Sequence, residues 1–299
     1  GPLASIPAQV AAQAFTPPQG VGGVTLLFQY YDDTGRRFTD GTRAATGQME
    51  TATVLLEASY GITDRFVVSL GLPYVFARYK DGPPPTPPYY PWDECHCWNS
   101  AFQDFRLAAG YRFGEGSWAV TPQVRYVQPS HDYEYRGQAV PGFNRQEFAV
   151  GLAAGWRLVG LLPRAVLEAA YFYSFVERFL DIPNDRSNGG IQIGYNATRR
   201  LFLYANGAYQ FTHGGLRRGS PSGDPFYPPG EFIILDTPER RQETQRLFRN
   251  NFWQAGGGLS YSFDSFDVFA SFVKYVWGTD THDGQAYTIG VTWYFGGGK

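Results

Sequence analysis

Residues 284–295 read Gly-Gln-Ala-Tyr-Thr-Ile-Gly-Val-Thr-Trp-Tyr-Phe, and their strict two-residue alternation leaves few folds open. Tyr287, Ile289, Val291, Trp293 and Phe295 share one face of a strand; Ala286, Thr288, Gly290, Thr292 and Tyr294 share the other. Large apolar groups on one side and mostly small or polar groups on the other suit a strand with lipid outside and water inside. Comparable segments recur along all 299 residues, so the same constraint acts on the whole chain.

Composition agrees. With 17% aromatic and 17% charged residues and 36 glycines, the balance favours an all-β protein with an apolar outer band over an α/β enzyme. Mean hydropathy is −0.31, and no apolar run reaches the length of a membrane-spanning helix. Alternating strands average their hydropathy away, so this leaves a membrane barrel open. A net charge of −2 gives no support for nucleic-acid binding. Ala12-Gln13-Ala14 has the small-x-small form of a signal-peptidase site without a charged start or apolar core before it, which suggests a secreted chain already processed upstream.

The alternation predicts strands near 21–31, 48–60, 65–79, 101–113, 117–128, 144–158, 164–176, 188–197, 200–212, 250–263, 266–277 and 284–295. Short links rich in Gly, Asp and Pro (61–64, 114–116, 159–163, 198–199, 264–265) alternate with long ones (32–47, 80–100, 129–143, 177–187, 213–249, 278–283). That is the pattern of periplasmic turns and extracellular loops. It gives an all-β fold: a transmembrane antiparallel β-barrel of the bacterial outer membrane, with twelve strands and both termini periplasmic. Residues 1–20, small-residue and Pro-rich, are then an N-terminal periplasmic tail in preference to a plug, 21–295 the barrel and 296–299 a C-terminal tail. Aromatics sit at both ends of the outward stripes, as in Trp118-Val120-Val124-Tyr126 and Phe148-Val150-Leu152-Ala154-Trp156, where two membrane interfaces would lie. Pro73 and Pro122 fall inside strands and each removes a ladder donor, which local bulges would accommodate.

Tyr60-Gly61-Ile62-Thr63-Asp64-Arg65 followed by Leu70-Gly71-Leu72-Pro73-Tyr74 resembles the hallmark hairpin of an outer-membrane barrel family named for the phenol meta-cleavage (MetA) degradation pathway. Asp104-Phe105-Arg106 with Gly110-Tyr111-Arg112-Phe113 is similar to that family's next strand, and Pro17-Pro18-Gln19-Gly20 to its opening. The similarity is strongest over about the first 115 residues and consists of turn and packing motifs. A last strand ending in Phe295 also resembles the C-terminal signal of outer-membrane barrels, although Gly296 to Lys299 follow it. These resemblances imply location and barrel shape, and a role in transport, more firmly than cargo.

The pore-lining candidates are Glu57, Asp104, Arg106, Arg125, Glu147, Arg157, Glu168, Gln210 and Lys274; Arg65, Arg112, Arg164, Gln123, Gln192, Asn206 and Gln254 are also placed inward by the alternation. Both signs occur, so they form no single-sign field; they pair across the lumen, line an aqueous path, or do both. Twelve strands tilted by about 40° give a backbone diameter of roughly 24 Å and a lumen on the order of 10 Å, wide enough for a small solute only.

The loop from Asp81 to Asn99 carries Tyr89, Tyr90, Trp92 and Trp98, a candidate lid or partner-binding surface, and Cys95-His96-Cys97. One Cys-x-Cys is a weak metal signal, so a loop disulfide between Cys95 and Cys97 is the preferred reading and no metal is expected. Thr237-Pro238-Glu239 starts a helix in the longest loop, with Arg240, Arg241, Arg246 and Arg249 following; it folds into the lumen as a constriction, lies outward near lipopolysaccharide phosphates, or is simply a solvated surface helix. The four histidines fall in or beside loops without an orienting partner, so no catalytic site and no cofactor are expected.

Two functions remain. One is a channel for passive diffusion of small solutes, aromatic or hydrophobic ones among them. The other is a non-transporting barrel that anchors or scaffolds a surface or periplasmic protein through its long Pro/aromatic loops. In both, the partners include the lipid bilayer and lipopolysaccharide.

Overall fold

The computed structural model describes residues 14–45, 47–80, 90–160, 162–217 and 243–296. Its strands are β1 (Val21–Arg37), β2 (Arg43–Ala44), β3 (Met49–Gly61), β4 (Phe66–Tyr79), β5 (Asn99–Phe102), β6 (Asp104–Tyr111), β7 (Trp118–Pro129), β8 (Glu147–Arg157), β9 (Ala165–Val176), β10 (Asn184–Asn196), β11 (Leu201–Gly214), β12 (Asn251–Ser262), β13 (Phe266–Thr279) and β14 (Thr281–Gly296). Each wall strand pairs antiparallel with the next, and β14 returns to β1 in a register that sets Phe28 beside Ile289. The two-residue β2 is an arm on the end of β1, and β5 and β6 both pair with β4 as one wall strand interrupted at Gln103. The result is a closed antiparallel barrel of twelve wall strands, in which β14 and β1 seal the seam.

The outer face carries what the alternation places there. Leu70, Ile191, Ile193, Leu203 and Ile289 (56% exposed) stand on the outside at mid-wall. Trp118, Trp156, Tyr261 and Trp293 ring the end that carries the short turns; Phe148, Phe175, Trp253 and Trp277 ring the end that carries the long loops. Apolar surface on this scale is unsustainable in water, and transfer of each such side chain to hydrocarbon is worth roughly 1.5–3 kcal/mol. No helix among the described residues is long and apolar enough to cross a membrane, so it is the strands that present this band.

The prolines sit where the ladder stops. Gln103, at the break between β5 and β6, donates its N–H to the Pro73 carbonyl at 2.9 Å, so β4 loses regular pairing on one side at that residue. Pro122 pairs with Leu152 of β8, while the β6–β7 ladder ends one residue earlier at Gly110 and Gln123 and resumes only as a bridge between Phe113 and Val120. A missing donor costs nothing at such interruptions.

Strands run farther at the long-loop end than local composition suggests. The polar run Asp32 to Arg37 looks like a loop, yet it continues the β1–β14 ladder through a bulge between Asp33 and Arg36. Cross-strand charge holds it: His282 contacts the Asp33 carboxylate, Arg37 reaches Asp283 at 3.3 Å, and Thr34 donates to the Asp283 carbonyl at 2.8 Å. β10 likewise starts at Asn184 instead of 188.

Lys274 corrects an expectation. Counting back from the outward Trp277 places it inward, but Trp253 pairs with Trp277 and Gln254 with Tyr275, so Val276 is an extra residue in the wall. The bulge inverts the parity: Val273 and Tyr275 are buried inside, and Lys274 is exposed on the outer face. Lying near the ring of Trp277 and Tyr287, it occupies interfacial depth, where an outward charge costs about 0–1 kcal/mol. Lys274→Leu is therefore expected to leave the urea unfolding midpoint in lipid vesicles unchanged or slightly raised. A marked loss of stability would mean that the lysine has an essential polar partner.

Candidate functional site

Residues 14–20 enter the short-turn end of the lumen. Ala14 is 0% exposed and packs with Ala153, Ala170 and Phe172, and its carbonyl accepts a hydrogen bond from Thr121 Oγ1 at 2.8 Å. Gly155 makes this seat: a Cβ there would lie 2.6 Å from the Phe15 ring and 2.8 Å from Ala14 Cβ. The Arg157 guanidinium caps Phe15 at 4.6 Å, and Glu168 accepts the Ala14 N–H. Gln19 N–H then bonds the Asp64 carboxylate at 2.9 Å, and Gly20 N–H bonds the Gly61 carbonyl at 2.9 Å, turning the chain into β1. This differs from a free tail. Small side chains and a backbone carbonyl do the docking, and neither produces a strand pattern.

Long loops close over the other end. Tyr133, Tyr135, Ala139, Val140 and Arg145, all from the β7–β8 connection, are buried. Asp93, on the helical turn Pro91–Glu94, clamps that connection by accepting the N–H groups of Gln138 (2.8 Å) and Ala139 (2.9 Å). Burial pushes its carboxyl above the usual range, and the two N–H donors pull it part of the way back. Tyr133 donates to Asp104 at 2.6 Å, and burial followed by that carboxylate drives the phenol well up. Arg246 adds a second layer, its guanidinium 3.1 Å from the Tyr135 ring and 4.1 Å from Phe179, while Arg145 donates to the Arg246 carbonyl at 2.9 Å.

Among the described residues, two cavities lie between these plugs. The upper one, about 230 Å3, lies towards the long loops; the lower one, about 380 Å3, is bounded by Phe15, Thr16 and Pro17. Glu57, Ser69 and Ala108 line both, so the two meet in mid-barrel. The upper cavity is charged. Arg106 donates to the Gln103 side chain at 3.3 Å, Arg186 faces Glu147 at 3.6 Å, and the Arg125 guanidinium lies 3.6 Å from the Phe172 ring. Gly151 makes room for that ring, since a Cβ there would overlap it. Burial lowers the Arg145 guanidinium to about 10, with Glu147 pulling the other way, so it is cationic at neutral pH. The lower cavity is mostly neutral, with Thr25, Leu27, Gln123, Gln192, Phe202 and Tyr204 on its walls.

No protein-family model matches the sequence, and no curated protein matches it either. Among solved structures, the COG4313 outer membrane channel from Pseudomonas putida F1 superposes with a TM-score of 0.70 over 95% of this chain and 98% of that one, at 10% identity. The two share one fold. The KdgM porin (TM-score 0.45, 9% identity, 91% of this chain and 99% of that one) and the β domain of the Bordetella autotransporter BrkA (0.47, 13%, 93% and 100%) are more distant barrels.

Within this barrel, six of the nine lumen candidates converge: Glu57, Asp104, Arg106, Arg125, Glu147 and Gln210 all line the upper cavity. Arg157 and Glu168 instead hold the N-terminal segment, and Lys274 faces outward. Arg65, Arg112 and Arg164 belong to the short-turn rim; Arg65 pairs with Glu115 at 2.6 Å, Arg112 bonds the Asp64 carbonyl, and Arg164 is an exposed turn residue with positive φ. Arg145, Arg186, Phe143 and Phe172 complete the upper cavity and are absent from the sequence-based set. The alternation begins this strand at 188 and so leaves Arg186 in a loop; the β10 ladder instead pairs it with Ser174.

Cys95 and Cys97 are joined by a disulfide. Trp92 packs against the cluster of Met49, Ala77, Tyr79 and Ala139 and stacks with Tyr90 at 5.2 Å, whereas Trp98 is exposed beneath Arg78. Tyr89, the helix start at Thr237-Pro238-Glu239, Arg240 and Arg241 lie outside the described residues.

Proposed function

We propose that this protein is an outer-membrane channel through which small solutes, aromatic or hydrophobic ones among them, diffuse passively. The observation that carries this reading is the pair of cavities meeting at Glu57, Ser69 and Ala108 inside a wall with an apolar exterior. A barrel serving only as an anchor needs no such connected space. The short turns face the periplasm in this reading, and the N-terminal segment and the β7–β8 connection set the constrictions. The hairpin resemblance to the phenol meta-cleavage barrel family favours aromatic cargo, and the apolar walls of both cavities suit it.

Purified protein in planar bilayers is expected to give discrete conductance steps, and proteoliposomes to admit benzyl alcohol faster than protein-free vesicles. Silence in both assays, with a folded barrel shown by its shifted mobility on unheated gels, would discard the channel in favour of the anchor.

A further inference from the structure

We infer that the upper cavity is a binding station for aromatic carboxylates, recognised by inward-facing guanidiniums above an apolar floor. The inference deepens the channel reading and rests on it for its role in transport, though not for binding itself.

Charge comes first. Four arginines, Arg106, Arg125, Arg145 and Arg186, line the cavity against three carboxylates, Glu57, Asp104 and Glu147, an excess of one positive charge. Asp104 is already bonded by the Tyr133 hydroxyl, and Glu147 faces Arg186. Burying cations is costly unless an anion answers them, so a solute carboxylate supplies what the cavity wall itself underprovides. Neutral or cationic solutes do not.

Geometry gives the second reason. The Arg125 guanidinium lies over the Phe172 ring at 3.6 Å and donates to the Gln123 side chain at 3.2 Å, a neutral acceptor that an incoming carboxylate can replace. The planar fork of a guanidinium matches a carboxylate better than a single amide oxygen. Glu57 stands at the junction of the two cavities and lines the upper one together with Arg106 and Arg125, so it competes with an incoming anion and keeps the site reversible.

Shape selects the body of the solute. Phe143, Phe172 and Phe252 supply aromatic walls beside the arginines. An apolar cavity of about 150 Å3 suffices for benzene; the upper cavity, at about 230 Å3, holds one ring with its carboxylate. A small hydrophilic anion leaves those walls unsatisfied.

The test is calorimetry of the detergent-solubilised full chain with benzoate, benzyl alcohol and acetate, alongside bilayer recordings with the same three probes. Benzoate is expected to bind at least about tenfold more tightly than either comparator and to interrupt the current. Arg106→Gln and Arg125→Gln should each weaken benzoate about tenfold without changing benzyl alcohol, and Glu57→Gln should tighten it. If a substitution prevents folding, the wild-type protein still decides: benzoate affinity must fall as ionic strength rises.

Equal binding of benzoate and benzyl alcohol overturns the carboxylate preference, and acetate binding as tightly as benzoate overturns the aromatic one. Benzoate binding unmoved by both arginine substitutions places the ligand elsewhere and also overturns the assignment. A conducting barrel without benzoate discrimination sinks this site and leaves the channel standing; a silent barrel that binds benzoate in the predicted way does the reverse.

Discussion

Removing residues 1–17 will raise the single-channel conductance by at least about twofold, because residues 14–17 narrow the short-turn half of a lumen whose open width is only on the order of 10 Å. Phe15, Thr16 and Pro17 form one wall of the lower cavity, and Ala14 is sealed against Ala153, Ala170 and Phe172. Gly155→Leu is the more specific form of the same experiment. It leaves the segment covalently present but occupies the seat of Ala14 and Phe15, since even a Cβ at that position falls within 2.8 Å of both. Both variants should fold, because the β14–β1 closure starts at Val21 and does not use the segment. Thr121→Val, which removes only the hydrogen bond to the Ala14 carbonyl, should produce brief openings of the same size, in keeping with a loss of about 1 kcal/mol. Conductance unchanged in both the deletion and Gly155→Leu would show that the lower half does not limit passage.

Asp93→Ala is expected to release the β7–β8 connection from the long-loop end. The buried carboxylate accepts two N–H groups, from Gln138 and Ala139, and charge-assisted bonds of this kind are worth roughly 1.5–3 kcal/mol each. Losing both leaves two backbone donors without their acceptor, so amide exchange at Gln138 and Ala139 should accelerate about a hundredfold or more. Asp93→Asn keeps one acceptor oxygen and should fall between. The barrel ladder does not involve Asp93, so exchange in β8 and β9 should not change. If the loop amides exchange as slowly as in the parent protein, other contacts, such as Gln103 to the Pro141 carbonyl and Tyr133 to Asp104, hold the lid without the clamp.

These two effects arise in the parts of the molecule that the alternation does not describe. A strand facing lipid reports its direction every second residue, and Leu70, Val124, Leu152, Leu203 and Ile289 are all outward as that rule requires. The same parity put Glu57, Asp104, Arg106, Arg125, Glu147 and Gln210 inside, and they share one cavity. It failed at Lys274 because one inserted residue, Val276, reverses every side chain beyond it, and a bulge is written in the partner strand as much as in its own. It also missed Arg186, where a polar stretch is held in the sheet by its neighbours instead of by its own propensity.

By itself the sequence determined a twelve-stranded closed wall, apolar outside and largely polar inside, since period and turn spacing are local properties that each segment carries alone. Only the tertiary structure decided what fills that wall. Asp93 meets Gln138 across 45 residues, Arg145 meets Arg246 across 101, and Thr121 meets Ala14 across 107. Contacts of this range follow from which loop bends inward and which glycine leaves room for it. No short stretch of sequence records that choice, because each side of the contact is polar or small and is equally compatible with water until the other arrives.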